Sequence, residues 1–367
     1  MKLTLLGFLT ILLLQTACNS DVKDKKSSNP VNIILLIGDG MGLSHVSTVY
    51  YFGEDSSSFD EFEAIGLMNT SSASHKITDS GAGGTALSSG KRTYNGAIGV
   101  DKDSNVIENI VEILSKKAYM TGIVATSSIT HATPAVFYAH VKSREQHEDI
   151  AVQLLHSDID FFAGGGTKYF CRRKDNLNFL DSFSKYGFIV DTTGLKQNIN
   201  YDLKNKYGYI LFEKSLPKAT EKRGNFLPDA THEALKYLSN AENGFFLMVE
   251  GSQIDWAGHD NDADYLIAEM LDFNKTIKVA LDFAKKDGNT LVIVLADHET
   301  GGFTLGSGLS YEESEKDYNK ILPTFATKGH SASLIPVFAY GPNSDKFTGI
   351  YKNTDVFLKL LQLFETK

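Results

Sequence analysis

A chain of 367 residues that is 42% hydrophobic and 22% charged is long enough to bury a large core. Its 36 basic residues against 45 acidic ones leave a formal charge of −9, which argues against the clustered Lys and Arg of a nucleic-acid footprint. The same charge leaves room for an anionic ligand, because bound cations can reverse the local field at an acidic site.

The chain opens with Met1-Lys2, an apolar run from Leu3 to Leu14, and Gln15-Thr16-Ala17-Cys18. A run this short is the core of a signal peptide, not a bilayer span. Small residues just before a Cys resemble a bacterial lipoprotein signal, so residues 1–17 are expected to be removed and Cys18 to be lipidated. The protein is then exported, as a periplasmic or outer-membrane lipoprotein touching membrane only through that lipid. Cleavage nearby without lipid would instead release a soluble secreted protein. Residues 18–30 are polar and Lys-rich and read as a flexible tether, which leaves 31–367 as a single domain. With Cys18 lipidated, Cys171 has no intramolecular partner, so packing and bound metal have to stabilise the fold without a disulfide.

Strand-like and helix-like stretches then alternate. Ile33–Ile37 is the first continuously apolar run, as suits a strand buried on both faces. An amphipathic helix is expected over about Val106–Lys117, followed by a strand at Thr121–Ala125. Residues 156–230 carry few motifs and charge-rich pieces such as Arg172-Arg173-Lys174-Asp175, and read as elaboration of the sheet. Phe245–Val249 is another strand. The helix after it, Ala263–Lys286, has Leu266, Met270, Ile277 and Leu281 near helical spacing, Lys285 and Lys286 at its C-terminus, and Gly288 to end it. Strands at Leu291–Ala296 and Leu334–Tyr340 complete the pattern. The alternation predicts an α/β fold, a three-layer α/β/α sandwich around a mostly parallel central sheet.

Ligands in open α/β sheets bind beyond the carboxyl ends of the strands. Three of these strands deliver a carboxylate there: Asp39 after the first, Glu250 after Phe245–Val249, and Asp297, with His298 beside it, after Leu291–Ala296. Acidic groups gathered at one edge repel one another, and cations are the simplest way to stabilise them. Asp255 and His259 are four residues apart and can share one side of a turn, and His330 again sits beside a buried strand. Imidazole with carboxylate suits a catalytic zinc site, whereas oxygen ligands alone suit magnesium. Ser80 lies in Thr78-Asp79-Ser80-Gly81-Ala82-Gly83-Gly84, where small residues let a ligand approach and a following helical turn offers amides to an anion. No histidine stands near it in sequence as a general base, so a metal ion is the candidate activator of its hydroxyl. Arg144 offers a planar fork of donors for two oxygens of a phosphate.

Taken together, Ile37-Gly38-Asp39-Gly40-Met41-Gly42, Thr78-Asp79-Ser80, Thr93-Tyr94-Asn95-Gly96, His131-Ala132-Thr133-Pro134, Glu250-Gly251 through Asp255 to His259, Asp297-His298-Glu299-Thr300-Gly301-Gly302 and Gly329-His330 resemble the alkaline phosphatase family. They occur in family order and span about residues 31–342. The resemblance implies a broad-specificity hydrolase of phosphate monoesters with two zinc ions and one magnesium ion. Ser80 is then the nucleophile that becomes phosphoserine. Asp255, His259 and His330 hold one zinc, and Asp39, Asp297 and His298 hold the other. Thr133 and Glu250 hold the magnesium, towards which Asp39 bridges. Arg144 clamps the phosphate and Asp79 orients it. His131 and Trp256 stand where some bacterial members carry Asp and Lys, and they are expected to tune the third ion. The chain is short for the family, implying fewer surface insertions, and the family resemblance also implies a homodimer.

Overall fold

The computed structural model describes residues 32–54, 56–308 and 317–365. The signal segment, Cys18 and the tether lie outside the described residues. In chain order the strands are β1 (Asn32–Gly38), β2 (Ala64–Asn69), β3 (Met120–Ser128), β4 (Phe161–Gly165), β5 (Phe188–Asp191), β6 (Lys206–Ile210), β7 (Phe245–Gly251), β8 (Thr290–Leu295), β9 (Glu299–Thr300), β10 (Phe303–Gly308), β11 (Asp317–Phe325), β12 (His330–Ser331), β13 (Ile335–Tyr340) and β14 (Gly349–Lys352). The helices are α1 (Leu43–Phe52), α2 (Ser80–Ser89), α3 (Ile110–Ser115), α4 (Ala132–Ala135), α5 (His147–Leu155), α6 (Lys168–Cys171), α7 (Phe226–Leu238), α8 (Gln253–Asp260), α9 (Ala263–Asp287) and α10 (Asn353–Glu365).

Ten strands form one sheet in the order β14-β2-β13-β8-β1-β7-β3-β4-β6-β5. Its centre is parallel: β1 lies between β8 and β7, and β7 pairs in turn with β3. Only β13 runs antiparallel to its two neighbours. The central strands are apolar along their length because both faces are covered, and every residue of β1, β7 and β8 is buried. Two groups of helices flank the sheet: α1, α7 and α8 pack on α9, while α3, α4 and α10 pack on α2. The charge-rich stretch 156–230 contributes β4, β6 and β5 to this same sheet, each in parallel register with its neighbour.

One expected helix is shorter than its periodicity suggested. In place of 106–117, α3 begins at Ile110, because Asn109 caps it: its side chain accepts from the amides of Val111 and Glu112, and Glu112 reaches back to the Asn109 amide. Val106, which was to open the helix, instead bridges to Val100. By contrast, α9 follows its pattern closely, with Asp262 as N-cap and Gly288 left-handed at its end.

The register of the centre sets the site. Ile37 aligns with both Glu250 and Leu295, so Asp39, Glu250 and Asp297 emerge side by side from adjacent strand ends. The nearby hairpin-like pairing of β9 with β12 brings His330 opposite Thr300, two residues beyond His298.

Candidate active site

Sequence-distant residues converge at this edge. Asp39, Glu250, Asp297 and His298 are fully buried, with Asp255 nearly so. His298 Nε2 lies 3.4 Å from Asp39 Oδ1 and 3.4 Å from Asp297 Oδ2. A turn of α8 holds Asp255 and His259 on one side, so that Asp255 Oδ1 is 3.4 Å from His259 Nε2 and 3.5 Å from His330 Nε2. The two imidazoles of His259 and His330 meet at 3.1 Å between their Nε2 atoms.

The proton inventory of these rings decides what the cluster can hold. His259 Nδ1 faces the Lys328 carbonyl at 2.5 Å and His330 Nδ1 faces the Thr78 carbonyl at 2.8 Å. A carbonyl only accepts, so both rings carry hydrogen on Nδ1 and, when neutral, present bare Nε2 lone pairs to each other and to Asp255. Lone pairs converging at these distances repel unless a cation lies among them. Asp39 Oδ1, Asp297 Oδ2 and Glu250 Oε1 are likewise buried without a hydrogen-bond partner. Orphaned acceptors in such numbers are costly, and metal ions satisfy them. Burial, reinforced by the Asp297, Asp255 and Glu250 charges, pushes the Asp39 carboxyl well up; burial and the Asp255 charge push Asp297 up to about 6, and burial is the largest cause for Glu250 too. Asp255 goes the other way: burial opposes it, but His330, His298 and His259 hold it below the usual carboxylate range.

Three groups can each bring one ligand atom per residue within 4.8 Å of the others: Asp255, His298 and His330; Asp39, Asp297 and His298; and Asp39, His131 and Glu250. His259 joins the first group through the distances above and is its most open member, its side chain 40% exposed. Thr133 Oγ1 lies 3.5 Å from Asp39 Oδ2, beside the third group. The structure thus draws His131, expected only to tune the site, into that group. Glu250 is held by Ser127 and Ser252, whose hydroxyls donate to Oε2 at 3.2 and 2.6 Å. Neither serine stands out in the sequence, and Ser127 lies more than a hundred residues from the carboxylate, with no pattern linking them.

Ser80 opens α2, nearly completely buried, with Oγ 3.2 Å from His298 Nε2. The small residues behind it are required by packing: a Cβ on Gly81 would meet the Ala97 carbonyl at 2.8 Å, and one on Gly84 the Val136 methyl at 2.9 Å. Asp79 caps this helix, accepting from the Ala82 amide at 3.0 Å and from the Gly96 amide at 3.0 Å. It also accepts from Arg144 Nη1 at 3.0 Å. Burial pushes the Asp79 carboxyl up, but the Ala82 amide, Arg144 and the Gly96 amide outweigh it and hold it below its ordinary range. Arg144 Nη2 faces His131 Nε2 at 3.3 Å. Desolvation of the half-buried His131, with the Arg144 charge beside it, pushes its pKa down to about 3 and keeps it neutral. Trp256 meets the His131 ring edge-on, 5.7 Å between centroids. Every described residue named from the sequence as catalytic, metal-ligating or tuning therefore falls in one connected cluster.

A mostly parallel sheet with buried carboxylates, converging imidazoles and a serine at the first position of a buried helix, all at its carboxyl edge, is the arrangement of a metal-dependent α/β enzyme. The family model for alkaline phosphatase matches residues 31–321. Alkaline phosphatase 3 of Bacillus subtilis (strain 168) is 34% identical over 92% of this chain and 90% of its own length. The alkaline phosphatase of Escherichia coli (strain K12) is 29% identical over 92% of this chain and 86% of its own. The structure of alkaline phosphatase from the Antarctic bacterium TAB5 is 51% identical, covers 92% of this chain and 99% of that one, and superposes with a TM-score of 0.89. A TAB5 variant with aspartate in place of a histidine has magnesium bound in its M3 site and matches at 49% identity over 93% of this chain and 99% of that one, with a TM-score of 0.88. The chain belongs to the alkaline phosphatase family, metal-dependent enzymes that hydrolyse phosphate monoesters.

Proposed function

We propose that the enzyme works through a phosphoserine on Ser80, with two zinc ions and one magnesium ion as its resident metals. Asp255, His259 and His330 would hold one zinc and Asp39, Asp297 and His298 the other. Thr133, Glu250 and Asp39 would hold the magnesium, with His131 beside them. When bound, such ions supply Lewis-acid stabilisation of phosphoryl oxygens and lower the pKa of a serine hydroxyl or a water. The observation that carries the reading is Ser80 Oγ lying 3.2 Å from His298 Nε2 at the N-terminus of a buried helix.

The chain's own residues do the rest. Ser80 Oγ attacks phosphorus as its proton passes to solvent, and the ester P–O bond breaks, the leaving oxygen taking a proton from solvent to depart as the alcohol. Water then attacks the phosphoserine and gives up a proton, the Ser80 Oγ–phosphorus bond breaks as a proton returns to Oγ, and inorganic phosphate leaves. The α2 amides and the Arg144 guanidinium face the negative oxygens throughout, and Asp79 fixes the guanidinium plane. A site that grips mainly the phosphoryl group tolerates many alcohols, which favours broad specificity. Hydrolysis of a chromogenic phosphate monoester at alkaline pH, before and after chelation, tests this. Activity should vanish with the metals and return with zinc plus magnesium; full activity in metal-free protein would refute it.

The apolar run closing at Cys18 supports export with a lipid on that residue. Mass spectrometry of the mature N-terminus should find the acyl groups, and an unmodified or absent Cys18 would contradict it.

A further inference from the structure

Thr300 ties the two zinc groups together. It is fully buried, and its Oγ1 lies 2.5 Å from Asp255 Oδ1, in one group, and 3.2 Å from His298 Nδ1, in the other. Its amide donates to the Gly40 carbonyl at 3.0 Å, directly after Asp39, and its backbone pairs with His330. Its methyl packs against Gly258, beside His259: a Cβ on Gly258 would meet Thr300 Cγ2 at 3.0 Å. One side chain thus touches a ligand, or the neighbour of a ligand, in each group.

A threonine hydroxyl has one hydrogen and two lone pairs. At 2.5 Å from a carboxylate oxygen the hydrogen has to point at Asp255, since two bare oxygens at that distance repel. A lone pair then faces His298 Nδ1, which has to carry hydrogen. That leaves the His298 Nε2 lone pair directed at Asp39, Asp297 and Ser80. The chain Nδ1–H to Oγ1–H to Oδ1 has a single consistent direction.

We propose that Thr300 is a positioning residue that fixes the His298 tautomer and the Asp255 carboxylate at once, coupling zinc retention at the two groups. This rests on the two-zinc reading above. Partners behind metal ligands set tautomer and orientation, and losing one typically costs roughly 10–100-fold in metal affinity. Thr300→Val keeps the shape and the Gly258 contact but removes the hydroxyl. Its full-length, metal-loaded protein should release both zinc ions to a chromogenic chelator at least about tenfold faster than wild type, in one phase. Thr300→Ser, which restores the hydroxyl, should return release to within a few-fold of wild type. Thermal unfolding of the metal-free proteins reports whether Val has damaged the fold; if it has, Thr300→Ala against Thr300→Ser makes the same comparison. Wild type without two zinc ions per chain would sink the metal reading itself. Two zinc ions in wild type with unchanged release from the Val variant, loss of one ion only, or failure of Ser to rescue would overturn the role of Thr300.

Discussion

Replacing Arg144 with Ala removes the guanidinium proposed to clamp the phosphoryl group. Its Nη1 is anchored on Asp79 Oδ2 at 3.0 Å, and the side chain is 24% exposed, so the fork is preset while remaining open to a ligand. Hydrogen bonds to charged groups contribute about 1.5–3 kcal/mol. At about 1.4 kcal/mol per factor of ten, losing the clamp weakens phosphate binding roughly 10- to 150-fold. The scaffold should survive, because Asp79 keeps its bonds from the Ala82 and Gly96 amides and continues to cap α2. Arg144→Lys keeps the charge but not the fork, and should fall between the two. Competitive inhibition by inorganic phosphate measures the effect directly, with kcat/KM and zinc content taken on the same samples. An inhibition constant within twofold of wild type, at unchanged zinc content, would refute the clamp.

Three further expectations follow from the same packing. Converting His131 to Asp and Trp256 to Lys adds a carboxylate beside Asp39 and Glu250 and an ammonium across from it, so magnesium and phosphate should both bind more tightly, and turnover should slow where phosphate release limits it; magnesium titration and phosphate inhibition at wild-type values would exclude this. Arg223 is almost wholly buried and donates to Glu269 at 2.6 and 2.9 Å and to Asp272 at 2.7 Å, so Arg223→Met strands two carboxylates and should cost about 3–5 kcal/mol in denaturant unfolding, a loss below about 1 kcal/mol being the contrary result. Both nitrogens of His140 face acceptors, Gly99 O at 2.7 Å and Glu112 Oε1 at 2.9 Å, which requires the imidazolium. Burial opposes that charge, yet Glu112 and the Gly99 carbonyl raise the His140 pKa, while His140 and the Asn109 amide outweigh burial to lower that of Glu112. The histidine's contribution is therefore complete below about 6.5 and fades as pH rises through its raised value, and the glutamate's is complete above about 4.3 and fades as pH falls. His140→Ala should thus destabilise more at pH 6 than at pH 9, and equal losses at the two would contradict the ion pair.

The centre of the fold was legible because strands buried on both faces leave continuous apolar runs: β1, β3, β7, β8 and β13 all lie where such runs occur. The edge was not. In β6, Lys206–Ile210 mixes polar and aromatic residues, and β5 is a terminal strand with one face open, so neither carries a clean signal. The start of α3 was misplaced because the apolar spacing continues through Val106 and Ile107, whereas the capping box at Asn109 decides where the helix begins. Ligand candidates were legible as chemistry at strand ends, since Asp39, Glu250 and Asp297 each follow an apolar run. Their supports were not: Thr300, Ser127 and Ser252 are ordinary polar residues in sequence, and only the register of β3, β7, β9 and β12 brings their hydroxyls to a carboxylate or an imidazole.

The proposed reaction depends on Ser80 accepting the phosphoryl group. Metal-loaded enzyme mixed with a phosphate monoester and quenched in acid should yield one phosphorylated peptide, with the phosphate on Ser80, by mass spectrometry. Ser80→Ala should give none, retain its zinc and lose turnover by orders of magnitude. A trapped phosphate on another residue, or near-normal turnover in Ser80→Ala, would contradict the phosphoserine route.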